Sequence, residues 1–255
     1  MDEGTMRICI LEADRPDAGF AARHGTYADM FRDWLAPALP EAVFTVHDVT
    51  APGPLPDPAA HDGFLVTGSR AGVYDRLDWM GPLVALLHAL RDRQVPVTGV
   101  CFGHQIMAAA YGGRVEKSAA GWVIGRHDHR PTAAGAALWG PEPFASISFH
   151  QDQVVALPPG ADVLAANALS KFGGLTYPFP ALSVQFHPEF LPAHVTGTFD
   201  GPDGGMVPPA VTAEARASLP GALDGPRIAE GFAQFYRRHA SASRFSQAAN
   251  LSQAG

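Results

Sequence analysis

The chain has only two cysteines, Cys9 and Cys101, set in separate apolar segments, so a disulfide framework is not expected and a reduced, cytoplasmic protein is. Charge is also scarce: 17% of the 255 residues are charged, and the formal net charge is −7, which offers no long-range attraction to a phosphate backbone and argues against nucleic acid as a partner. Long apolar runs are missing. The N-terminal MDEGTMRICILEAD starts acidic and reaches only a short apolar stretch, so neither a secretory signal nor a membrane span is expected. The phosphate-cradling pattern GxxxxGK[ST] does not occur, GVCFGHQ is not GxGxxG, and no internal repeat is visible. No cofactor is expected. No metal site is expected either: His127 and His129 flank Asp128 without a third ligand at diagnostic spacing, and the two histidines read as one solvated strand face.

What the chain does have is 47% hydrophobic residues, enough for a full core in one large domain. Arg7 to Glu12 reads as a buried first strand and Tyr27 to Leu39 as a helix with Met30, Phe31, Trp34 and Leu35 at helical spacing. Val43 to Val49, Gly63 to Thr67 and Val95 to Val100 read as further strands, with a helix over Pro82 to Arg91. This alternation predicts an α/β domain with a central, mostly parallel sheet flanked by helices. Six short strand candidates between Val123 and Phe186, closely spaced by Gly and Pro, predict a mixed or antiparallel extension in the second half. Leu191 to Asp224, rich in Gly and Pro, reads as a partly irregular excursion, and Ile228 to Arg238 as a final helix. The domain is expected over 1–240, with a flexible polar tail over 241–255.

The most informative stretch is VPVTGVCFGHQIMAAAYGG, Val95 to Gly113: a β run, Gly99-Val100-Cys101-Phe102-Gly103, then a helical segment. This is the arrangement of a nucleophile elbow, in which a sharp strand-to-helix turn lifts a side chain to the head of the sheet. Glycines allow the backbone angles and the close packing such a turn needs. A cysteine at a helix N-terminus meets the positive end of the dipole, which favours thiolate over thiol. Cys9, mid-strand between Ile8 and Ile10, reads as core. His187 and Glu189, two apart in an extended segment, point the same way and are placed to hydrogen-bond.

GVCFGHQ resembles the nucleophile motif of class I glutamine amidotransferases. LVTGSRAGVYD (Leu65 to Asp75) resembles their oxyanion loop, particularly in stand-alone proteins similar to the amidotransferase domain of GMP synthase, and SVQFHPEF (Ser183 to Phe190) resembles the segment carrying the other two catalytic residues. The resemblance covers roughly three-quarters of the chain and implies a flavodoxin-like single domain. It implies Cys101 as nucleophile, His187 as base and acid, and Glu189 as the carboxylate orienting it. It implies an oxyanion hole from the backbone N–H groups of Gly68, Ser69 and Phe102, and substrate contacts from Gln105, Ser148, Phe149 and His150. Phe102 stands where many members carry leucine, and Gly68-Ser69 where they carry a double glycine; both donors are backbone groups, so no catalytic atom is lost.

The implied activity is release of ammonia from the side-chain amide of L-glutamine through a cysteinyl thioester, with an ammonia-accepting synthetase as a possible separate subunit. A stand-alone hydrolase of γ-glutamyl peptides or conjugates is the alternative, and a non-catalytic regulatory or binding module a second one. An α/β-hydrolase with cysteine for serine is disfavoured by the order Cys101, His187, Glu189, and a papain-like peptidase by the absence of its signature around the cysteine.

Overall fold

In the computed structural model, residues 5–119 and 121–252 are described, with side chains described as far as Ala240. Eleven strands and eight α-helices are formed among the described residues: β1 (Met6–Glu12), α1 (Ala18–His24), α2 (Tyr27–Leu35), β2 (Ala42–Asp48), β3 (Gly63–Val66), α3 (Met80–Asp92), β4 (Val97–Val100), α4 (Phe102–Ala110), β5 (Arg114–Lys117), β6 (Val123–Pro131), α5 (Ala133–Trp139), β7 (Phe144–His150), β8 (Asp152–Ala156), β9 (Asp162–Ala166), β10 (Gly174–Thr176), β11 (Ala181–Val184), α6 (Pro192–Asp200), α7 (Pro209–Ser218) and α8 (Gly225–Ser252). Nine strands form one sheet in the order β2-β1-β3-β4-β11-β10-β9-β6-β7, and β5 pairs with β8 in a separate ribbon. The pairs β2-β1, β1-β3, β3-β4 and β4-β11 are parallel, and the pairs from β11 onward are antiparallel, as the short second-half strands predict.

Strands β1, β3, β4 and β11 are buried on both faces, which is why they are nearly continuous in apolar residues, whereas the edge strand β2 is partly exposed. Alternation along β1 sends Ile8 and Ile10 to one face and Cys9 and Leu11 to the other. The first face packs on Phe31 and Leu35 of α2 and on Ile228, Phe232 and Tyr236 of α8. The second packs on Leu83, Leu87 and Leu90 of α3 and on Phe102, Ile106 and Met107 of α4. Cys9 is buried there, as expected, and burial pushes its thiol pKa up to about 11. Tyr236 ties α8 to the sheet by donating to the Phe64 carbonyl at 2.7 Å, with the Thr98 hydroxyl also 2.7 Å away.

Two expectations are corrected. The excursion over Leu191 to Asp224 is mostly helical: α6 and α7 flank a 3-10 turn, Pro202–Met206. Pro192, Pro202 and Pro209 stand at helix starts, where the missing N–H costs nothing. The reading of His127 and His129 as one solvated face is wrong for His129, which is 1% exposed and stacks on Phe144 at 5.5 Å. Strand β6 lies between β9 and β7, so one of its faces is core; His127 is half-buried there, and Asp128 and Arg130 on the opposite face are exposed. Helix α8 is longer than the stretch Ile228 to Arg238, so part of the expected tail over 241–255 is helical backbone, and residues 253–255 lie outside the described residues.

Candidate active site

Three adjacent parallel strands bring the candidate residues to one edge. The registers Val66↔Gly99 and Val100↔Val184 align the C-terminal ends of β3, β4 and β11. The chain beyond β3 becomes the Gly68-Ser69 turn, the chain beyond β4 becomes Cys101, and the chain beyond β11 reaches His187. The carboxyl edge of such a sheet is where open α/β folds place their ligands.

Cys101 sits between β4 and α4 with φ 55° and ψ −104°, a conformation that L-residues rarely adopt. The strain is carried by the cysteine itself and not by its glycine neighbours. The glycines serve close packing: a Cβ on Gly103 would stand 2.3 Å from the Val66 carbonyl oxygen, and one on Gly99 would stand 2.6 Å from both the Gly103 carbonyl carbon and the Met107 sulfur. The Cys101 N–H donates to the Val184 carbonyl at 2.9 Å, which fastens the elbow to β11. Its Sγ lies 3.8 Å from the Phe149 carbonyl oxygen.

His187 and Glu189 are buried, with Nδ1 and Oε1 2.6 Å apart. The His187 N–H donates to the Ile147 carbonyl of β7 at 2.7 Å, and the Phe190 ring stacks on the imidazole at 4.2 Å, so backbone and ring are both fixed. Burial alone would lower the imidazole pKa. The Glu189 carboxylate and the Cys101 sulfur outweigh it and hold the pKa up, at about 10, so the ring carries its proton at neutral pH.

Gly68 faces this pair: a Cβ there would lie 3.1 Å from His187 Cε1 and 3.7 Å from Cys101 Cβ. The Phe102 N–H is at the first helical position of α4, where an α-helix leaves its donors unpaired. The Phe102 side chain turns away and packs on Trp79 with ring centroids 5.4 Å apart.

These residues open onto a cavity of about 330 Å³. Gly68, Ser69, Cys101, Gln105, Phe149, His150, His187 and Glu189 line it, which brings together most of the sequence-predicted site. Ser148 is not on its wall; it is fully buried in β7 and its hydroxyl has no partner among the described residues. His150 is buried, and desolvation together with His187 lowers its pKa to about 3, which keeps it neutral. His104 is fully buried behind the elbow with Nδ1 2.8 Å from the Ser183 hydroxyl.

Sequence reasoning missed much of the remaining wall. Tyr27 and Phe31 come from α2, Lys117 and Asp152 from the β5-β8 ribbon, and Asp203, Met206 and Val207 from the segment around the 3-10 turn. Trp122 also lines the cavity. Arg70 staples this wall to the Gly68-Ser69 turn. Its guanidinium donates to Asp14 through Nε and Nη2 at 2.8 Å each, and through Nη1 to Asp203 at 3.0 and 3.1 Å.

The same architecture is found among solved glutamine amidotransferases. A glutamine amidotransferase of Methylobacillus flagellatus superposes with a TM-score of 0.71 over 92% of this chain and 95% of its own, at 21% identity. The glutamine amidotransferase class-I family profile matches residues 29–196. The chain belongs to the class I glutamine amidotransferase family. Among its relatives, gamma-glutamyl peptidase 4 of Arabidopsis thaliana is 30% identical over 189 residues, covering 71% of this chain and 75% of the relative. The glutamine-hydrolysing GMP synthase of Cupriavidus pinatubonensis is 32% identical over 144 residues, covering 51% of this chain and 25% of that protein. Among the described residues no helix is long and apolar enough to cross a membrane.

Proposed function

We propose that the protein hydrolyses the side-chain amide of γ-glutamyl compounds, with Cys101 as nucleophile, His187 as acid and base, and Glu189 as the group that orients His187. The supporting observation is the buried row of Cys101, His187 and Glu189 at the head of the sheet, with the nucleophile in a strained elbow and the imidazole bonded to the carboxylate at 2.6 Å. Cys101 Sγ attacks the γ-carbonyl carbon as its π electrons move onto oxygen. The N–H groups of Gly68, Ser69 and Phe102 receive the oxyanion, each donor of this kind contributing about 2.7–4 kcal/mol. The tetrahedral intermediate collapses, the C–N bond breaks, and the departing amine takes the proton of His187. Water, deprotonated by the now neutral His187, then attacks the thioester and frees glutamate and the Cys101 sulfur.

L-Glutamine is the simplest such substrate, and ammonia the simplest leaving amine. A reading in which peptides or conjugates are cleaved is favoured by the relative named for γ-glutamyl peptidase activity, and one in which a separate synthetase subunit accepts ammonia by the relative named GMP synthase. Glutamate release from L-glutamine, with γ-glutamyl dipeptides and glutathione in parallel and Cys101→Ala as control, distinguishes them. Cys101-dependent release from glutamine supports the glutaminase reading, and release from the peptides alone supports the stand-alone hydrolase. Cys101-independent release from either rejects the mechanism.

A further inference from the structure

The two ends of the cavity differ chemically. His187 gives its proton to the departing amine, so whatever that amine carries extends along the side of the cavity next to His187. Phe190 anchors this side: its ring stacks on the His187 imidazole at 4.2 Å and lines the cavity. It belongs to one buried apolar cluster with Val207, against which Tyr27 is packed. Tyr27, Val207 and the adjacent Met206 line the cavity as well.

The charged groups at this end are already engaged with one another. Arg70 donates to Asp14 and, through Nη1, to both carboxylate oxygens of Asp203, and Glu189 is held by His187. The Thr198 hydroxyl donates to the His194 carbonyl at 3.0 Å. The Tyr27 hydroxyl forms no hydrogen bond among the described residues, and burial first, then Asp14, raises its pKa, so it keeps its proton. Cys101 also acts on that hydroxyl electrostatically, which places Tyr27 within reach of the reacting sulfur. Met206 closes the 3-10 turn and is 57% exposed, leaving an unbranched, polarizable side chain free to cover a ligand. Ammonia has no substituent that could touch this wall. Tyr27, Met206 and Val207 also lie outside residues 29–196, the part matched by the family profile.

We propose that Tyr27, Met206, Val207 and Phe190 form a subsite for the leaving amine, and that the amine it takes is primary, uncharged and predominantly apolar, an arylamine above all. This rests on the reading of Cys101 as the nucleophile and deepens it: the substrates are γ-glutamyl amides whose nitrogen substituent packs in this subsite. The amide C–N bond breaks, the nitrogen takes the proton of His187, and the amine leaves neutral; water then frees glutamate from the sulfur. A leaving amine with a carboxylate or a second ammonium sets an unpaired charge against apolar side chains and is discriminated against.

The test measures glutamate release from γ-glutamylanilide, L-glutamine, γ-glutamylglycine and the mono-γ-glutamyl amide of 1,4-diaminobutane. In the parent protein the anilide is expected to exceed glutamine by about tenfold or more in kcat/KM, with both charged amides below the anilide. Met206→Asp and Tyr27→Ala are each expected to lower the anilide-to-glutamine ratio by about tenfold, and Met206→Asp to raise the diaminobutane amide relative to the anilide. Each ratio compares two substrates on one preparation, so loss of folded protein does not alter it, and the change between variants is free of the anilide's intrinsic reactivity. A ratio unchanged in both variants, or a parent protein that prefers γ-glutamylglycine to the anilide, overturns the subsite and leaves Cys101 in its role. Release that survives Cys101→Ala, or no release from any of the four amides, overturns the catalytic reading and the subsite with it.

Discussion

Cys101 holds its backbone at φ 55° and ψ −104°, a conformation costing of order 1–3 kcal/mol for a residue with a Cβ. Cys101→Ala keeps that cost and Cys101→Gly removes it. Both are expected to abolish hydrolysis while retaining the fold, and urea unfolding is expected to show the glycine variant as the more stable by about 1 kcal/mol or more. At His187 the shift has a definite sign. Its folded pKa of about 10 lies above its ordinary value of 6.5, so the folded state holds the extra proton between them. The stability linked to it is therefore full below about pH 6.5 and lost as pH rises through about 10. The alkaline limb of the rate profile follows the same proton, and Glu189→Gln is expected to move that limb to lower pH. An unmoved limb would separate the observed titration from His187.

At the scale of elements, the joint between β4 and α4 depends on two missing side chains. Gly103→Ala drives a methyl against the Val66 carbonyl and is expected to destabilise by about 1–3 kcal/mol in thermal or urea unfolding. Gly81→Ala at the start of α3 meets nothing within 4 Å and is expected to stabilise by about 0.5–1 kcal/mol. Arg70 links the Gly68-Ser69 turn to Asp203, so Arg70→Ala is expected to loosen the 3-10 turn over the cavity and raise KM in steady-state assays. What was legible in the sequence follows the same division. Cys101, His187 and Glu189 could be read because each is defined by neighbours within a few positions: an elbow between strand and helix, and two residues on one side of an extended segment. Lys117 and Asp152 meet only through the pairing of β5 with β8, which no local pattern encodes. His129 misled because alternation gives two faces without saying which is buried. The helices α6 and α7 were hidden by prolines that mark starts of helices as well as loops.

At the scale of the molecule, the core includes imidazoles that are neutral when folded. Burial lowers His104, His129 and His150 to about 3 each, below their ordinary 6.5. The unfolded chain takes up these protons first, so the stability they contribute is present above about pH 6.5 and is lost as pH falls toward 3. His129→Phe, which keeps an aromatic ring against Phe144 and Phe186, is expected to flatten the dependence of unfolding free energy on pH across that range. The nine-stranded sheet itself, with helices on both faces of its parallel half, gathers the ends of β3, β4 and β11 at one edge, and the chemistry proposed for the protein depends on that gathering. The most direct test is rapid acid quenching during turnover of glutamine or a γ-glutamyl peptide, followed by peptide mass spectrometry. A γ-glutamyl thioester on Cys101, absent from Cys101→Ala, is the expected result. Turnover that proceeds without an adduct on Cys101, or that survives in Cys101→Ala, would contradict the mechanism.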